Sequence, residues 1–244
     1  MPEIIGGLGI DFVVANAENA AGGFGLTPEI ATELFGYGID CLTMGNHVWS
    51  KKELIPVLEE NPALLRPINY PEDVPGKGET VLTSRTGMPV GVVNVCGTTF
   101  MDNLCCPFRT VAASVERLLA QTPVILVDMH AEATSEKVAM GQYLDGKVSA
   151  VIGTHTHVQT ADEQILPAGT AYLTDCGMTG PMDSILGMKS SSVLERFLTR
   201  LPAKFEVASG PAVFSGAVID VEVTTGKARA IERIVRKETR EQLI

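Results

Sequence analysis

The segment "TPVILVDMH", residues 122–130, is mostly apolar and ends on a histidine. An apolar run of this kind is typical of a strand that is buried on both faces of a parallel sheet. Helical patterns flank it at residues 108–120 and 134–145, and a second apolar run, "KVSAVIGTH", follows at residues 147–155. Strands that alternate with helices in this way predict an α/β fold.

The rest of the chain continues this alternation toward both ends. Thr27 and Pro28 suit the N-cap and first position of a helix at residues 27–38, and Ser50 and Glu53 have the spacing of a capping box. The further predicted elements are strands at 10–17, 40–46, 89–97 and 170–177, a helix at 50–61, a Pro/Gly-rich loop at 66–79, and alternating strands after 204 with a hairpin turn at "TTG", 224–226. The sequence therefore predicts one domain over residues 1–244, with a mixed sheet core and antiparallel strands added late.

The composition indicates a globular protein, because 45% of the residues are hydrophobic and 20% are charged. No apolar run approaches the roughly 20 residues that a membrane-spanning helix needs, and the N-terminal "MPEIIGGLGI" lacks the basic region of a secretory signal. We therefore expect a cytoplasmic protein without a membrane partner. The formal net charge of −10 argues against broad binding to nucleic acid, but it is compatible with a small phosphorylated substrate in a pocket that holds cations.

Residues of metal-binding type stand where several predicted strands end. They are Glu18 with Asn19, Asn46 with His47, His130, and His155 with His157, and they include all 4 histidines of the chain. The carboxyl ends of the strands converge on one edge of an open α/β sheet, where such folds bind ligands. Side chains two positions apart on a strand point to the same face, so His155 and His157 can reach one site. The set predicts a metal site, although a lone histidine such as His130 is more often a hydrogen-bonded structural residue.

The chemistry of the donors narrows the choice of metal. Nitrogen and oxygen donors without a thiolate suit Mn, Fe or Zn better than a structural zinc site. One ion would not use all of Glu18, Asn46, His130, His155 and His157 and keep an open position, whereas two ions about 3.5–4 Å apart that share a carboxylate would. Such a pair binds both the attacking and the leaving oxygen during hydrolysis of a phosphate ester. We therefore expect two transition-metal ions, with Mn, Fe and Zn all compatible with these donors.

The same residues carry a resemblance to a known family. The order of "EN", "GNH", a lone histidine after an apolar strand, and "GTHTH" resembles the calcineurin-like metallophosphoesterases, and within them the bacterial YmdB-like phosphodiesterases. The segments that carry the likeness are "ENAAGGFGLT" (18–27), "TMGNHVWSKKE" (43–53), "LRPINYPEDVPGKG" (65–78), the stretch from His130 to Pro181, and "ILGM" (185–188). The resemblance covers essentially the whole chain, and its motifs are highly specific.

The resemblance implies a four-layer α/β/β/α sandwich that binds two iron or manganese ions. Glu18 would bridge the ions, Asn46, His130 and His155 would hold one of them, and His157 would hold the other. Asn19 would lie nearby, against the substrate or behind the ligands. The implied reaction is hydrolysis of a phosphodiester, with 2′,3′-cyclic or 3′,5′-cyclic nucleotides as substrates, by a hydroxide that the two ions activate. His47 would be the general acid that protonates the leaving oxygen.

One departure from the family pattern concerns the N-terminus. Relatives begin with a strand that ends in Gly-Asp, and this aspartate binds the same ion as His157. Met1 falls in the latter part of the family's first helix, and Asp11 opens a predicted strand rather than ending one. Either Met1 is an internal methionine of a longer protein or the protein is a shortened one, and in both cases the expectation for this chain is an N-terminally truncated domain with weakened metal binding at the His157 position. Without the first strand two strand edges would be unpaired, where a second copy of the chain could bind and form a homo-oligomer.

Two other functions stay open on the sequence alone. The missing aspartate favours a degenerate relative that binds a nucleotide or a protein partner without turnover. A metal-dependent amide hydrolase is less consistent, because in amidohydrolase barrels the His-x-His pair lies on the first strand rather than after the middle of the chain. Near the candidate donors, Asp128, Glu132 and Asp162 are interpreted as strand-end or solvent-facing carboxylates rather than as partners of the histidines.

Overall fold

A parallel sheet in the middle of the chain is the framework of the fold. The computed structural model describes residues 1–238, so residues 239–244 of the predicted domain lie outside the described residues. The helices are α1 (Pro2–Leu8), α2 (Pro28–Gly36), α3 (Ile55–Glu60), α4 (Pro107–Leu119), α5 (Thr134–Leu144) and α6 (Ser190–Thr199). The strands are β1 (Val14–Asn16), β2 (Cys41–Thr43), β3 (Leu64–Leu65), β4 (Glu79–Thr83), β5 (Pro89–Cys96), β6 (Ile125–His130), β7 (Ala150–Thr154), β8 (Gln164–Ile165), β9 (Ala171–Leu173), β10 (Gly180–Pro181), β11 (Ala212–Val221) and β12 (Ala228–Lys237).

The largest sheet has six strands in the order β4-β5-β6-β7-β9-β8. Strands β5, β6, β7 and β9 run parallel, whereas β4 and β8 are antiparallel edge strands. Cys96, His130 and Thr154 are register partners across β5, β6 and β7. Because these strands are parallel, their carboxyl ends lie together at one edge, and the candidate metal-binding residues begin there.

Alternate residues of this sheet pack on opposite faces, as the geometry of a strand requires. Val93, Val127 and Val151 pack against α4 and α5 on one face. On the other face, Val92 packs against the sheet formed by β1, β2 and β3, and Ile152 packs against β11 and β12. The central sheet is therefore covered by helices on one side and by two smaller sheets on the other.

The second layer of helices covers the small parallel sheet β1-β2-β3. Leu42 of β2 and Leu64 of β3 pack with Ala31 of α2 and Leu58 of α3. The layers thus follow the order helices, sheet, sheets, helices. This arrangement confirms the predicted mixed α/β architecture.

Two predicted helix starts have different outcomes. The Thr27 side chain accepts a hydrogen bond from the Ile30 backbone N–H at 3.4 Å, so the predicted N-cap of α2 is confirmed. The capping box at Ser50 and Glu53 is wrong, because a 3₁₀ turn at Lys52–Leu54 begins after Lys51 and has no side-chain cap. Pro56 occupies the first turn of α3, and a proline favours a helix start there because its fixed φ suits that position.

The antiparallel strands predicted near the end of the chain are present. β11 and β12 pair antiparallel along most of their length, and β10 pairs with β11. The backbone N–H of Gly226 donates to the Glu222 carbonyl at 2.8 Å, which closes the turn predicted at residues 224–226. None of the helices within residues 1–238 combines the length and the apolar character that crossing a bilayer would require.

Candidate metal centre

The candidate donors come together because four strands of two sheets end at the same place. His130 is the last residue of β6, and His155 directly follows β7. Glu18 and Asn46 lie two and three residues beyond the ends of β1 and β2, which pair in parallel. The predicted convergence of strand ends therefore brings Glu18, Asn46, His130 and His155 into one cluster.

The centre of this cluster is the Nε2 atom of His130. It lies 3.1 Å from Glu18 Oε1, 3.1 Å from Asn46 Oδ1 and 3.0 Å from His155 Nδ1. Donor atoms of Glu18, His130 and His155 all lie within 4.8 Å of one another, and no other His/Cys/Asp/Glu group of this kind occurs within residues 1–238. Glu18 and His130 are each only 1% exposed.

The hydrogen bonds behind His130 define its tautomer. Thr154 Oγ1 donates to Asp128 Oδ1 at 2.7 Å, and it therefore accepts from His130 Nδ1, which lies 2.9 Å away. With its proton on Nδ1, a neutral His130 presents an Nε2 lone pair to the cluster. This chain of imidazole, hydroxyl and carboxylate resembles the outer-sphere partners that orient metal-binding histidines.

Asp128 is held in place by three side chains. It accepts from Thr154, from Asn16 Nδ2 at 3.1 Å and from Thr43 Oγ1 at 2.5 Å. Burial raises the pKa of Asp128 above its ordinary value, although the His130 charge and these hydrogen bonds oppose the shift. The interpretation of Asp128 as a solvent-facing carboxylate is therefore wrong, because the residue is buried and linked to His130.

The arrangement at Nε2 fits a bound cation. A lone pair of His130 faces oxygen atoms of Glu18 and Asn46 and a nitrogen of His155, and a single proton could satisfy only one of these neighbours. A metal ion accepts several lone pairs at once, and this nitrogen and oxygen set suits Mn, Fe or Zn.

A Cβ atom at Gly45 would collide with Glu18 Oε2 and His130 Nε2. The residue before Asn46 must therefore be glycine to leave this space open.

The ionisation states of Glu18 and His155 also suit metal binding. Burial alone would raise the pKa of Glu18, but contact with the His130 ring, the His47 backbone N–H and the positive charge that these two histidines carry when protonated hold that pKa below its ordinary value. Burial and the neighbouring His130 lower the pKa of His155. An ionised carboxylate and a neutral imidazole are the forms that bind a cation. Glu132, interpreted from sequence as solvent-facing, is half exposed and places Oε2 3.1 Å from His155 Nε2.

The other predicted site residues lie around the cluster with looser contacts. The His47 backbone N–H donates to Glu18 Oε2 at 3.2 Å, and its ring meets Phe24 edge to face at 5.1 Å. Asn19 Nδ2 donates to the Gly23 carbonyl at 2.8 Å. His157 Nδ1 lies 3.4 Å from the carbonyl oxygen of Leu186. Among these three, only His47 has a hydrogen bond with a residue of the cluster within residues 1–238.

A cavity of about 390 Å³ opens beside the cluster. Asn46 and His155 line one side of it, and Phe100, Met101 and Asp102 line the other. Phe100 is 88% exposed and has a φ of 62°, which is uncommon for a bulky residue. No pattern in the sequence indicates this wall, because residues 98–104 follow β5 as a loop without any periodicity.

The loop that carries Phe100 is fixed from α5. Glu136 accepts from the backbone N–H of Thr98 at 3.0 Å and from that of Thr99 at 3.3 Å. The side chain of Glu136 is buried, so these backbone bonds replace the water that the carboxylate loses. Both walls of the cavity are therefore held by defined contacts.

The chain is similar over most of its length to proteins of one family. The YmdB-like protein family matches residues 1–234. A 2′,3′-cyclic-nucleotide 2′-phosphodiesterase of Bacillus subtilis (strain 168) is 51% identical over 224 residues, which cover 92% of this chain and 84% of the relative. The chain is thus similar over most of its length to a phosphodiesterase.

The fold is also similar to two crystal structures. A hypothetical protein from Thermus thermophilus has a TM-score of 0.89 and 44% identity, covering 98% of this chain and 91% of that one. A novel phosphatase from Mycoplasma pneumoniae has a TM-score of 0.90 and 32% identity, covering 99% of this chain and 88% of that one. The family match and these likenesses bear out the resemblance seen in the motifs. The chain therefore belongs to the YmdB-like family, has the metallophosphoesterase fold and is an ester hydrolase.

Proposed function

We propose that the chain is a metal-dependent phosphodiesterase that acts on nucleoside 2′,3′-cyclic phosphates, with 3′,5′-cyclic nucleotides as the second candidate. The observation that carries the proposal is the convergence of Glu18, Asn46 and His155 on the Nε2 atom of His130. The substrate class is taken from the name of the Bacillus subtilis relative. The cavity beside these donors supports it, because about 390 Å³ is enough space for a small ligand.

In this proposal two metal ions are bound. Glu18, Asn46, His130 and His155 would hold one ion, and Glu18 and His157 would hold the other. When bound, the ions would supply positive charge for the phosphate oxygens and make hydroxide available near neutral pH. The buried chain of Thr154 and Asp128 supports the first half of this assignment, because it keeps the His130 lone pair directed at the cluster.

His47 would protonate the leaving oxygen. Its backbone is anchored to Glu18, and its ring packs against the edge of Phe24, so the imidazole lies beside the cluster without a salt bridge of its own within residues 1–238. Histidine can donate a proton near neutral pH, and the leaving alkoxide of a cyclic phosphate needs one.

The wall of the cavity opposite the candidate metal donors would bind the nucleobase of the substrate. The exposed ring of Phe100 offers an aromatic face, on which any nucleobase can stack. Asp102 lies beside it in the same cavity, and a carboxylate accepts hydrogen bonds from base amino groups or ribose hydroxyls.

The test combines metal content with turnover. The purified chain is loaded with Mn²⁺, its metal content is measured, and hydrolysis of 2′,3′-cyclic AMP is compared with that of 3′,5′-cyclic AMP. We expect bound Mn²⁺, and faster hydrolysis of the 2′,3′-cyclic substrate. The control is Glu18→Gln, which keeps the size of the side chain and removes its charge, and which should lose both properties. Bound metal and bound nucleotide without turnover of either substrate would instead favour the non-catalytic relative.

A further inference from the structure

An ion pair lies buried behind the loop that carries His155 and His157. Lys137 of α5 and Asp175, two residues beyond β9, are each 1% exposed, and Lys137 Nζ lies 2.8 Å from Asp175 Oδ2. Lys137 is also among the largest fully buried side chains of the described residues. Neither group is part of the donor cluster, and no sequence motif drew attention to them.

Both members of the pair hold the backbone on either side of His155. Lys137 Nζ donates to the carbonyl oxygen of Thr154 at 3.1 Å. Asp175 Oδ2 accepts from the Thr156 backbone N–H at 3.0 Å and from the Thr156 hydroxyl at 2.7 Å. The residue before His155 and the residue after it are therefore fixed by the same two charged groups.

The backbone between these anchors has an unfavourable conformation. His155 has a φ of 101° and His157 has a φ of 67°, values that residues other than glycine rarely adopt. Such conformations persist only where the surroundings enforce them. The Lys137–Asp175 pair supplies that restraint, because it bonds to Thr154 and Thr156 on both sides of the first unusual residue.

The packing of β7 is adapted to the lysine. A Cβ atom at Gly153 would collide with the Thr174 carbonyl oxygen and would lie 2.7 Å from Lys137 Cδ. A glycine at this position therefore leaves the passage through which the lysine side chain reaches the loop. The absence of a side chain at Gly153 and the buried path of the Lys137 side chain therefore go together.

Stability alone does not account for this pair. Removing two charges from water costs about as much as their attraction returns, and an apolar pair of similar volume is often as stable or more stable. The hydrogen bonds to Thr154 and Thr156 are the contacts that an apolar pair could not make. They act on the loop that presents His155 to His130 and Glu18.

We propose that Lys137 and Asp175 are positioning residues of the metal centre. They hold residues 154–156 so that the His155 imidazole meets His130. This assignment rests on the proposed metal-dependent function, because its effect on turnover requires that function. The restraint on the loop itself does not depend on metal and can be measured without it.

The first experiment uses the metal-free protein. Hydrogen exchange of the backbone at residues 154–157 is compared in the parent, in Lys137→Met and in a control, Thr170→Val. Thr170 is buried before β9, at the end of the strand remote from the site, where its hydroxyl donates to the Val148 carbonyl at 2.7 Å. We expect faster exchange at 154–157 in Lys137→Met only. Equal protection in Lys137→Met and the parent would overturn the proposal, whether or not the parent hydrolyses cyclic nucleotides.

The second experiment separates positioning from folding. The double variant Lys137→Met/Asp175→Asn leaves no lone buried charge and should recover much of the Tm lost in Lys137→Met. It still lacks the bond to the Thr154 carbonyl, so Mn²⁺ affinity and kcat should stay lowered by roughly 10–100-fold, the range for outer-sphere partners of a metal site. KM should change little.

Asp175→Asn is the milder variant if Lys137→Met does not fold, since it keeps an oxygen for Thr156, and it should lower Mn²⁺ affinity less. The Thr170→Val control should lose Tm without losing Mn²⁺ affinity. Recovery of Mn²⁺ affinity and kcat together with Tm in the double variant would show a purely structural pair. A parent that binds no Mn²⁺ would contradict the proposed function instead, and the exchange measurement would still decide the role of Lys137.

Discussion

The two sides of the candidate metal centre are built in different ways. The inner side, formed by Glu18, His130 and His155, has partners around every member, and Glu18 and His130 are almost completely buried. The outer side, formed by His47, His157 and Phe100, consists of residues whose side chains have weak or single contacts. The difference teaches that the strand ends fix the donors proposed for the first ion, whereas the loops carry the residues proposed for the second ion and for the substrate.

The largest expected effect, on metal content and kcat, follows from a substitution in the inner side. His130→Ala removes the nitrogen on which the other donors converge, so we expect loss of tightly bound Mn²⁺. The accompanying fall in kcat should exceed the roughly 100-fold that outer-sphere changes produce. The measurement is metal content after dialysis together with turnover of 2′,3′-cyclic AMP.

The matched control for His130→Ala is His157→Ala on the outer side. It should retain the ion held by the inner side and lose only the second one. Equal loss of metal in both variants would contradict the distinction between the two sides.

An intermediate effect concerns proton donation from the outer side. His47→Ala should leave metal content unchanged and lower kcat for 2′,3′-cyclic AMP by about 100-fold, the lower end of the range for a general acid. Turnover of bis-p-nitrophenyl phosphate should fall much less, because its leaving group departs without a proton. An equal loss on both substrates would assign His47 to positioning rather than to proton transfer.

The smallest expected effect, on KM, concerns Phe100 of the outer side at the rim of the cavity. Phe100→Ala should raise KM for 2′,3′-cyclic AMP by about fivefold, since stacking on an aromatic side chain contributes about 1 kcal/mol or more per base. KM for glycerol 1,2-cyclic phosphate, which has no base, should stay the same, and Phe100→Trp should preserve KM for the nucleotide. An equal rise in KM for both substrates would mean that Phe100 shapes the cavity without contacting the base.

The inner side could be predicted from the sequence because the end of a strand can be recognised where an apolar run stops. Each of Glu18, Asn46, His130 and His155 follows an apolar run, and parallel strands bring such positions to one edge. The outer side was less accessible, because the contacts of His157 and Phe100 depend on loop conformations. The assignment of His157 to a second ion stays a prediction.

The residues that support the donor cluster could not be predicted from the sequence, for a different reason. Lys137 and Asp175 are 38 residues apart, and only the packing of α5 against β7 and the end of β9 brings them together. Asp128 gave a weak signal, as one acidic residue within an apolar strand, but its hydrogen-bond partners Thr43 and Asn16 belong to another sheet. The capping box predicted at Ser50 failed because the chain forms a 3₁₀ turn at Lys52–Leu54 and begins α3 only at Ile55, next to Pro56.

The backbone conformations around the cavity have a consequence for how the protein could be improved. Within residues 1–238, five residues other than glycine have positive φ, and all except Arg200 lie at the site; these four are Phe100, His155, His157 and Leu186. Each such conformation costs about 1–3 kcal/mol, against a net stability of about 5–15 kcal/mol for a typical domain. Glycine adopts a positive φ without this strain, so a glycine variant would gain stability wherever the relief exceeds the entropy that glycine adds to the unfolded chain. At Phe100, His155 and His157 the same variants would lose the side chains proposed for substrate and metal binding, so a gain in stability there would come with a loss of turnover.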